Sequence, residues 1–357
     1  MKRRESWADL CKWIGIVFMV WGHAGVSTEV DIYLHSFHMP IFFFLSGYWF
    51  TAGKYSLRDF LKRRARSLLI PYFFYGAVLC ILWNGYSLLF SPDQFVPWDK
   101  IARSLFLFNA DFSPFAAVQW FLTALFLSEI LFFFLERVFP QKKWSPAVIA
   151  LLVSLPGYFW LSWDLGRIVW SMDCAFTGTA FYAFGYFLKI CLRKRTEWFS
   201  GTAAAPFAAF GLLLIGFWLS CQNGYTNMRV LLYGNYFLYY ASALATICGI
   251  ALLSMWMEKK GLLKNKLGNF LLYMGKNTLV ILVLNQAIRQ VLENILHMGL
   301  WISALSPEAA LWVRGAEAAI VLLIGAALSA AVNHFLPFTV GKEFQKRKKR
   351  KSPELAG

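Results

Sequence analysis

Two ionisable side chains in the first apolar stretch, Lys12 and His23, carry the clearest chemical signal in the sequence. They stand eleven residues apart. At ~3.6 residues per turn this is close to three full turns, which places both on one helix face, ~16 Å apart along the axis. A histidine deep in an apolar segment can act as a general base or proton relay, because imidazole gains and loses a proton near neutral pH. The same position also suits a histidine that merely reaches the outer headgroups of a bilayer, and the residue types alone leave both readings open.

A second constellation is Lys62-Arg63-Arg64-Ala65-Arg66, followed by Ile70-Pro71-Tyr72. Arg63 and Arg66 are neighbours on a helix surface, and guanidinium forks suit phosphate oxygens. A basic cytoplasmic loop would show the same residues without any ligand. Glu129 and Asp173 lie in apolar runs, where they can pair or stay protonated. Asn277 and Asn285 fall nearly on one face, with a hydrogen bond between helices as the plainer reading. His35 reads as interfacial packing, whereas His38 is open to either packing or chemistry. The six cysteines are scattered, with no CxxC or Cys/His cluster, so neither a metal site nor a disulfide framework is expected. No P-loop, dinucleotide fingerprint, HExxH or GxSxG motif stands in a suitable context.

The elements that must position these residues follow from composition. Hydrophobic residues make up 59% of the chain and charged ones 15%. Soluble domains carry ~25% charged residues, so a disordered chain is excluded and an ordinary soluble enzyme disfavoured. A bilayer crossing needs ~20 apolar residues. Apolar runs occur at 9–26, 38–53, 68–90, 119–138, 146–163, 171–191, 203–220, 233–256, 269–289 and 316–337, the ninth interrupted at Gly275-Lys276-Asn277. With the N-terminus inside, most of the 35 Lys and Arg residues fall in alternate, cytoplasmic segments, as the positive-inside rule requires. The net charge of +16 is thus a topology signal, and nucleic acid is not needed to explain it. Asp9 and Lys12 interrupt the first run, which therefore reads as a retained helix and not as a signal peptide. The expected fold is all-α: a polytopic membrane protein of about ten transmembrane helices, N-in and C-in, in contact with membrane lipids. Residues 1–340 form the transmembrane domain, and 341–357 a basic, disordered cytoplasmic tail.

Four stretches give a family likeness. They are Ala8-Asp9-Leu10-Cys11-Lys12-Trp13-Ile14-Gly15-Ile16 running to Gly22-His23, Ser36-Phe37-His38-Met39-Pro40 running to Leu45-Ser46-Gly47-Tyr48, Arg63-Arg64-Ala65-Arg66 before Ile70-Pro71-Tyr72, and Gly275-Lys276-Asn277-Thr278-Leu279. Trp120-Phe121-Leu122 and Phe181-Tyr182-Ala183-Phe184-Gly185-Tyr186 add to it. Over nearly its whole length the chain resembles the membrane acyltransferase-3 family, especially its stand-alone carbohydrate O-acetyltransferases of the fucose O-acetylase-like kind. It departs from many members in having Lys12 where they have Arg, and Asn285 where they have His.

The resemblance implies an inner-membrane enzyme moving an acetyl group from cytoplasmic acetyl-CoA to a hydroxyl of a cell-surface or lipid-linked carbohydrate. His23 and Lys12 would be catalytic, and Arg63, Arg66 and Arg64 would hold the donor's phosphates. His38, Asn277 and Asn285 would face the acceptor, and no metal is implied. A multi-helix transporter or flippase for a small solute or glycan is the rival reading, since a broken ninth helix is common in that class.

Overall fold

In hydrocarbon every backbone amide needs an internal partner, so apolar runs of this length must coil into helices. A computed structural model of the chain describes residues 5–109, 114–139, 142–295 and 298–342. Lys2, Arg3, Arg4 and the tail from residue 343 onward lie outside the described residues. The helices are α1 (Trp7–Ala24), α2 (Thr28–Phe37), α3 (Pro40–Trp49), α4 (Leu57–Arg64), α5 (Ile70–Phe90), α6 (Trp98–Phe106), α7 (Trp120–Val138) and α8 (Ser145–Phe159). They continue as α9 (Met172–Phe199), α10 (Ala205–Asn223), α11 (Tyr236–Lys259), α12 (Lys266–Lys276), α13 (Thr278–Ile295), α14 (Met298–Ser303) and α15 (Pro307–Phe335). Among the described residues no strand forms, only one antiparallel bridge between Asn227 and Leu232.

Each apolar run coincides with a helix or a helix pair. Length and apolarity suffice for a membrane crossing in five described stretches: Leu57–Phe90, Val169–Phe199, Ala205–Asn223, Tyr236–Lys259 and Glu308–Phe335. A sixth arises if α12 and α13, bent by 80° across Asn277, form one broken span. The remaining runs fall short for two physical reasons. Helix α3 has 10 residues and α8 has 15, less than a bilayer's thickness. Helices α1 and α7 are long enough, but α1 carries Asp9, Lys12 and His23, and α7 carries Glu129, Glu136 and Arg137. Asp9, Glu129 and Glu136 are buried in the protein. These helices lose apolarity because they carry inward-facing polar groups, as intramembrane charges usually do.

Helix α2 has no counterpart among the apolar runs. Its N-cap is Ser27, and it brings His35 and His38 back beside the end of α1. Helices α4 and α5 are joined by a π-turn, Ala65–Leu69. Pro71 supplies the reason: it lacks the amide that would bond residue 67, and its ring presses on that carbonyl, so the turn widens around Arg66.

Helices α1 and α3 lie side by side in opposite directions. Trp7 meets Tyr48 edge-on at 5.0 Å and stacks on Trp49 at 6.3 Å, at one end. At the other end His23 meets His38, with ring centroids 6.0 Å apart. Helix α3 is clamped onto α9 through two glycines. A Cβ on Gly47 would fall 1.8 Å from the Tyr182 carbonyl oxygen, and one on Gly185 would fall 2.0 Å from that of Phe44.

Candidate active site

The C-terminal end of α1, the last turn of α2 and the start of α7 enclose a small cavity of ≈ 100 Å³. His23, His35, His38, Trp120, Arg229 and Gln286 are among the side chains lining it. Buried His38 donates Nδ1–H to the Leu34 carbonyl at 2.6 Å, because a carbonyl can only accept. Its Nε2 then carries the lone pair whenever the ring is neutral. His35 donates from Nδ1 to the Asp31 carboxylate at 2.8 Å and to the Asp31 carbonyl at 3.1 Å. His23 makes no hydrogen bond to the described residues, and its ring neighbours are His35 at 5.8 Å and His38 at 6.0 Å. An uncommitted imidazole in a cavity is available to a substrate hydroxyl.

The α1 terminus that carries His23 is itself fixed. Arg314 of α15 donates to the Ala24 carbonyl at 2.6 Å, satisfying an orphan group with a cation at the negative helix end. Gly25 turns the chain away at φ +90, where an added Cβ would also meet the Arg314 guanidinium at 2.9 Å.

A second cavity, ≈ 630 Å³, lies at the other end of α3. Lys54, Arg63, Arg64, Arg66 and Lys342 line it together with Trp49, Phe50, Tyr55 and Phe133. The Arg63 guanidinium and the Lys54 ammonium sit over the Tyr55 ring, 4.8 Å and 5.0 Å from its centroid. Lys54, by hydrogen bonding, holds the Tyr55 phenol below its ordinary pKa, and Arg63 and Arg64 add to the effect. Clustered cations, with the exposed Trp49 ring beside them, suit a ligand that carries phosphates. Met39 borders the histidine cavity and Phe50 the cationic one. At ~1.5 Å per residue the two borders are ~16 Å apart along α3.

Residues 5–334 match a family described as an acyltransferase domain, Acyl_transf_3. The chain belongs to the acyltransferase-3 family. The matched region contains every residue lining the histidine cavity and all but Gly341 and Lys342 of the cationic one. No curated protein and no solved structure matched the chain. Family membership supports a membrane O-acyltransferase.

Within this acyltransferase-3 chain the sequence candidates divide. His23 and His38 share one cavity; Arg63, Arg64 and Arg66 share the other. Lys12 borders neither and pairs with Asp9 at 3.6 Å. The Asp9 carbonyl in turn packs against Gly275, where a Cβ would lie 1.8 Å away, so Gly275 lets α12 approach α1. Asn277 sits at the α12–α13 break and accepts from Asn333 at 2.9 Å and from Lys342 at 2.8 Å. It is therefore tied to the cationic cavity through Lys342. Asn285 is buried and donates to the carbonyl of Leu282, itself a lining residue of the histidine cavity.

Sequence reading gave no role to Lys54, Tyr55 or Lys342, and it read His35 as packing. The Asp31/His35 spacing of four was a usable signal, since such pairs share a helix face. Glu129, expected from its apolar run either to pair or to stay protonated, has a partner that the sequence does not name: Arg64 Nε lies on its Oε2 at 2.9 Å. Glu129 has almost no exposed surface, whereas Arg64 reaches the cavity. Glu129 thus aims the guanidinium by its Nε edge and leaves the outer nitrogens for an anion. Glu129→Gln is expected to keep the protein folded and to weaken binding of a phosphate-bearing ligand in this cavity by about tenfold, read by equilibrium binding.

Proposed function

We propose that this protein transfers an acetyl group from cytoplasmic acetyl-CoA to a hydroxyl of a cell-surface or lipid-linked carbohydrate. The observation that carries this reading is the pairing of a cationic aromatic cavity with a histidine cavity at the two ends of α3. Arg63, Arg64 and Arg66 would hold the donor's phosphates at the inner face. The pantetheine arm would cover the ~16 Å between the cavities, bringing the thioester to His23. His23 would take the acceptor proton as its oxygen attacks the thioester carbon. The gatherings of cations around Lys54–Arg66, in the C-terminal turns of α9 and in the loops after α7 and α11 support an inside orientation of that end. The same distribution supports N-in and C-in topology, about ten crossings and residence in a bacterial-type inner membrane. The crossings would include the shorter and more polar helices, shielded from lipid by their neighbours.

The test uses sealed membrane vesicles of both orientations, supplied with acetyl-CoA labelled in the acetyl group. Label should reach glycan only when the donor has access to the cytoplasmic face. Arg63→Ala and Arg66→Ala should each raise the donor KM by about tenfold to a hundredfold, the worth of one charge-assisted contact. Label transfer from the opposite face alone would overturn the orientation. No donor use by either preparation, with uptake of a solute instead, would favour transport, the activity to which the bent α12–α13 pair also lends itself.

A further inference from the structure

The acceptor's proton has to leave the histidine cavity on every turnover, and the transfer site as described gives His23 no partner to pass it to. His35 stands beside it. The two ring centroids are 5.8 Å apart, and that of His38 is 4.9 Å from His35. His38 is an unsuitable exit, since it is buried and its Nδ1–H is held by the Leu34 carbonyl. His35 differs in two respects. Its Nδ1–H is held by a carboxylate, and exposure rises outward along the pair, from 10% for the His35 side chain to 32% for that of Asp31. A carboxylate on one nitrogen favours the imidazolium that forms when the other nitrogen accepts a proton.

We propose that the Asp31–His35 pair is the proton outlet of the transfer site: His35 receives from His23 the proton that His23 takes from the attacking hydroxyl. This inference rests on the acyltransferase reading of the site. In the step, the acceptor O–H bond breaks and the new ester C–O bond forms as the thioester C–S bond breaks. The proton passes from the acceptor oxygen to His23, then to Nε2 of His35, and from there to water at the exposed Asp31 edge. The leaving thiolate takes a proton from water on the donor side, so charge and atoms balance.

Charged and titratable groups surround His35 on each side. Asp31 and His38 lie on its own helix or cap, and His23 faces it from α1. Tyr225, at 5.0 Å, and Arg229 come from the connection after α10. Arg289 of α13 reaches the cavity edge through its hydrogen bond to Gln286, 3.2 Å. Of these, Asp31 alone is both anionic and in contact with the His35 ring among the described residues.

The experiment follows release of CoA thiol from acetyl-CoA by membranes that supply the acceptor, between about pH 5.5 and 9. His35→Gln should lower kcat by about tenfold to a hundredfold with the donor KM within twofold of wild type. Asp31→Asn removes the charge that favours imidazolium. The kcat of this variant should fall as well, with the donor KM again within twofold of wild type. Added imidazole should restore part of the activity of His35→Ala, which a folding defect would not allow. Unchanged kcat in both variants would overturn the proposal. So would a loss of kcat in His35→Gln with no imidazole rescue of His35→Ala, which marks a packing role. Failure of the wild type to consume donor would instead overturn the acyltransferase reading, and this outlet with it.

Discussion

Replacing His23 by alanine is expected to lower acyl transfer by ~10²–10⁴-fold, the usual contribution of a positioned general base. The size of the effect follows from its surroundings. Its ring is held in place by the end of α1, which Arg314 caps and Gly25 turns, so the imidazole cannot be replaced by a small shift of a neighbour. His38 is near, but its Nδ1 is committed to the Leu34 carbonyl and its position is fixed by α2. Donor binding should be spared, because the cationic cavity lies ~16 Å away at the far end of α3. His23→Gln keeps the side-chain volume and should be equally inactive. Turnover and equilibrium binding of acetyl-CoA, measured on the same purified variants, check this. A variant that still turns over within tenfold of wild type would move the base elsewhere in the cavity.

Gly47→Ala should be among the most damaging single methyl additions in the molecule. The new Cβ would stand 1.8 Å from the Tyr182 carbonyl oxygen. Both partners of that clash belong to helix backbones, so no side chain can rotate away. Ordinary overpacking costs ~1–3 kcal/mol; here two helices must separate, and a fold of ~5–15 kcal/mol total stability would lose much of it. The Gly185 contact with Phe44 would open at the same time, since it lies on the same α3–α9 seam. Gly85→Ala is the control. It lies inside α5 with nothing within 4 Å of an added Cβ, and alanine there should be neutral or stabilising by ~0.5–1 kcal/mol. Thermal unfolding of the two variants in detergent distinguishes them: a large fall in Tm for Gly47→Ala and none for Gly85→Ala.

The helical order of the chain was legible from runs of apolar residues, and the break at Gly275-Lys276-Asn277 from the polar residues inside the ninth run. Helix α2 was not legible, because Thr28–Phe37 is too polar and short to register as a run. His23 could be picked out because an ionisable side chain is rare in such a setting. His35 was legible only in part: its spacing from Asp31 can be read along the helix, but its contact with His23 of α1 comes from the fold. The arginines announced themselves as a cluster; their common cavity with Lys342 joins residues far apart in sequence, which periodicity cannot show. Lys12 illustrates the reverse. Its register with His23 is correct along the helix, yet its nearest partner is Asp9, and it borders neither cavity.

The shortness of α3 has an electrical consequence. Ten residues of helix separate the two cavities, whereas the hydrocarbon layer is ~30 Å thick. On the proposed function, donor and acceptor would reach their ends only if both cavities are watered, and water carries almost none of a voltage drop. The membrane potential then falls mainly across the ~15 Å between them. Any ion displaced along that short path feels nearly the whole field, ~2.3 kcal/mol per unit charge at 100 mV. An energised membrane would thus act on the chemistry itself as well as on the protein's orientation.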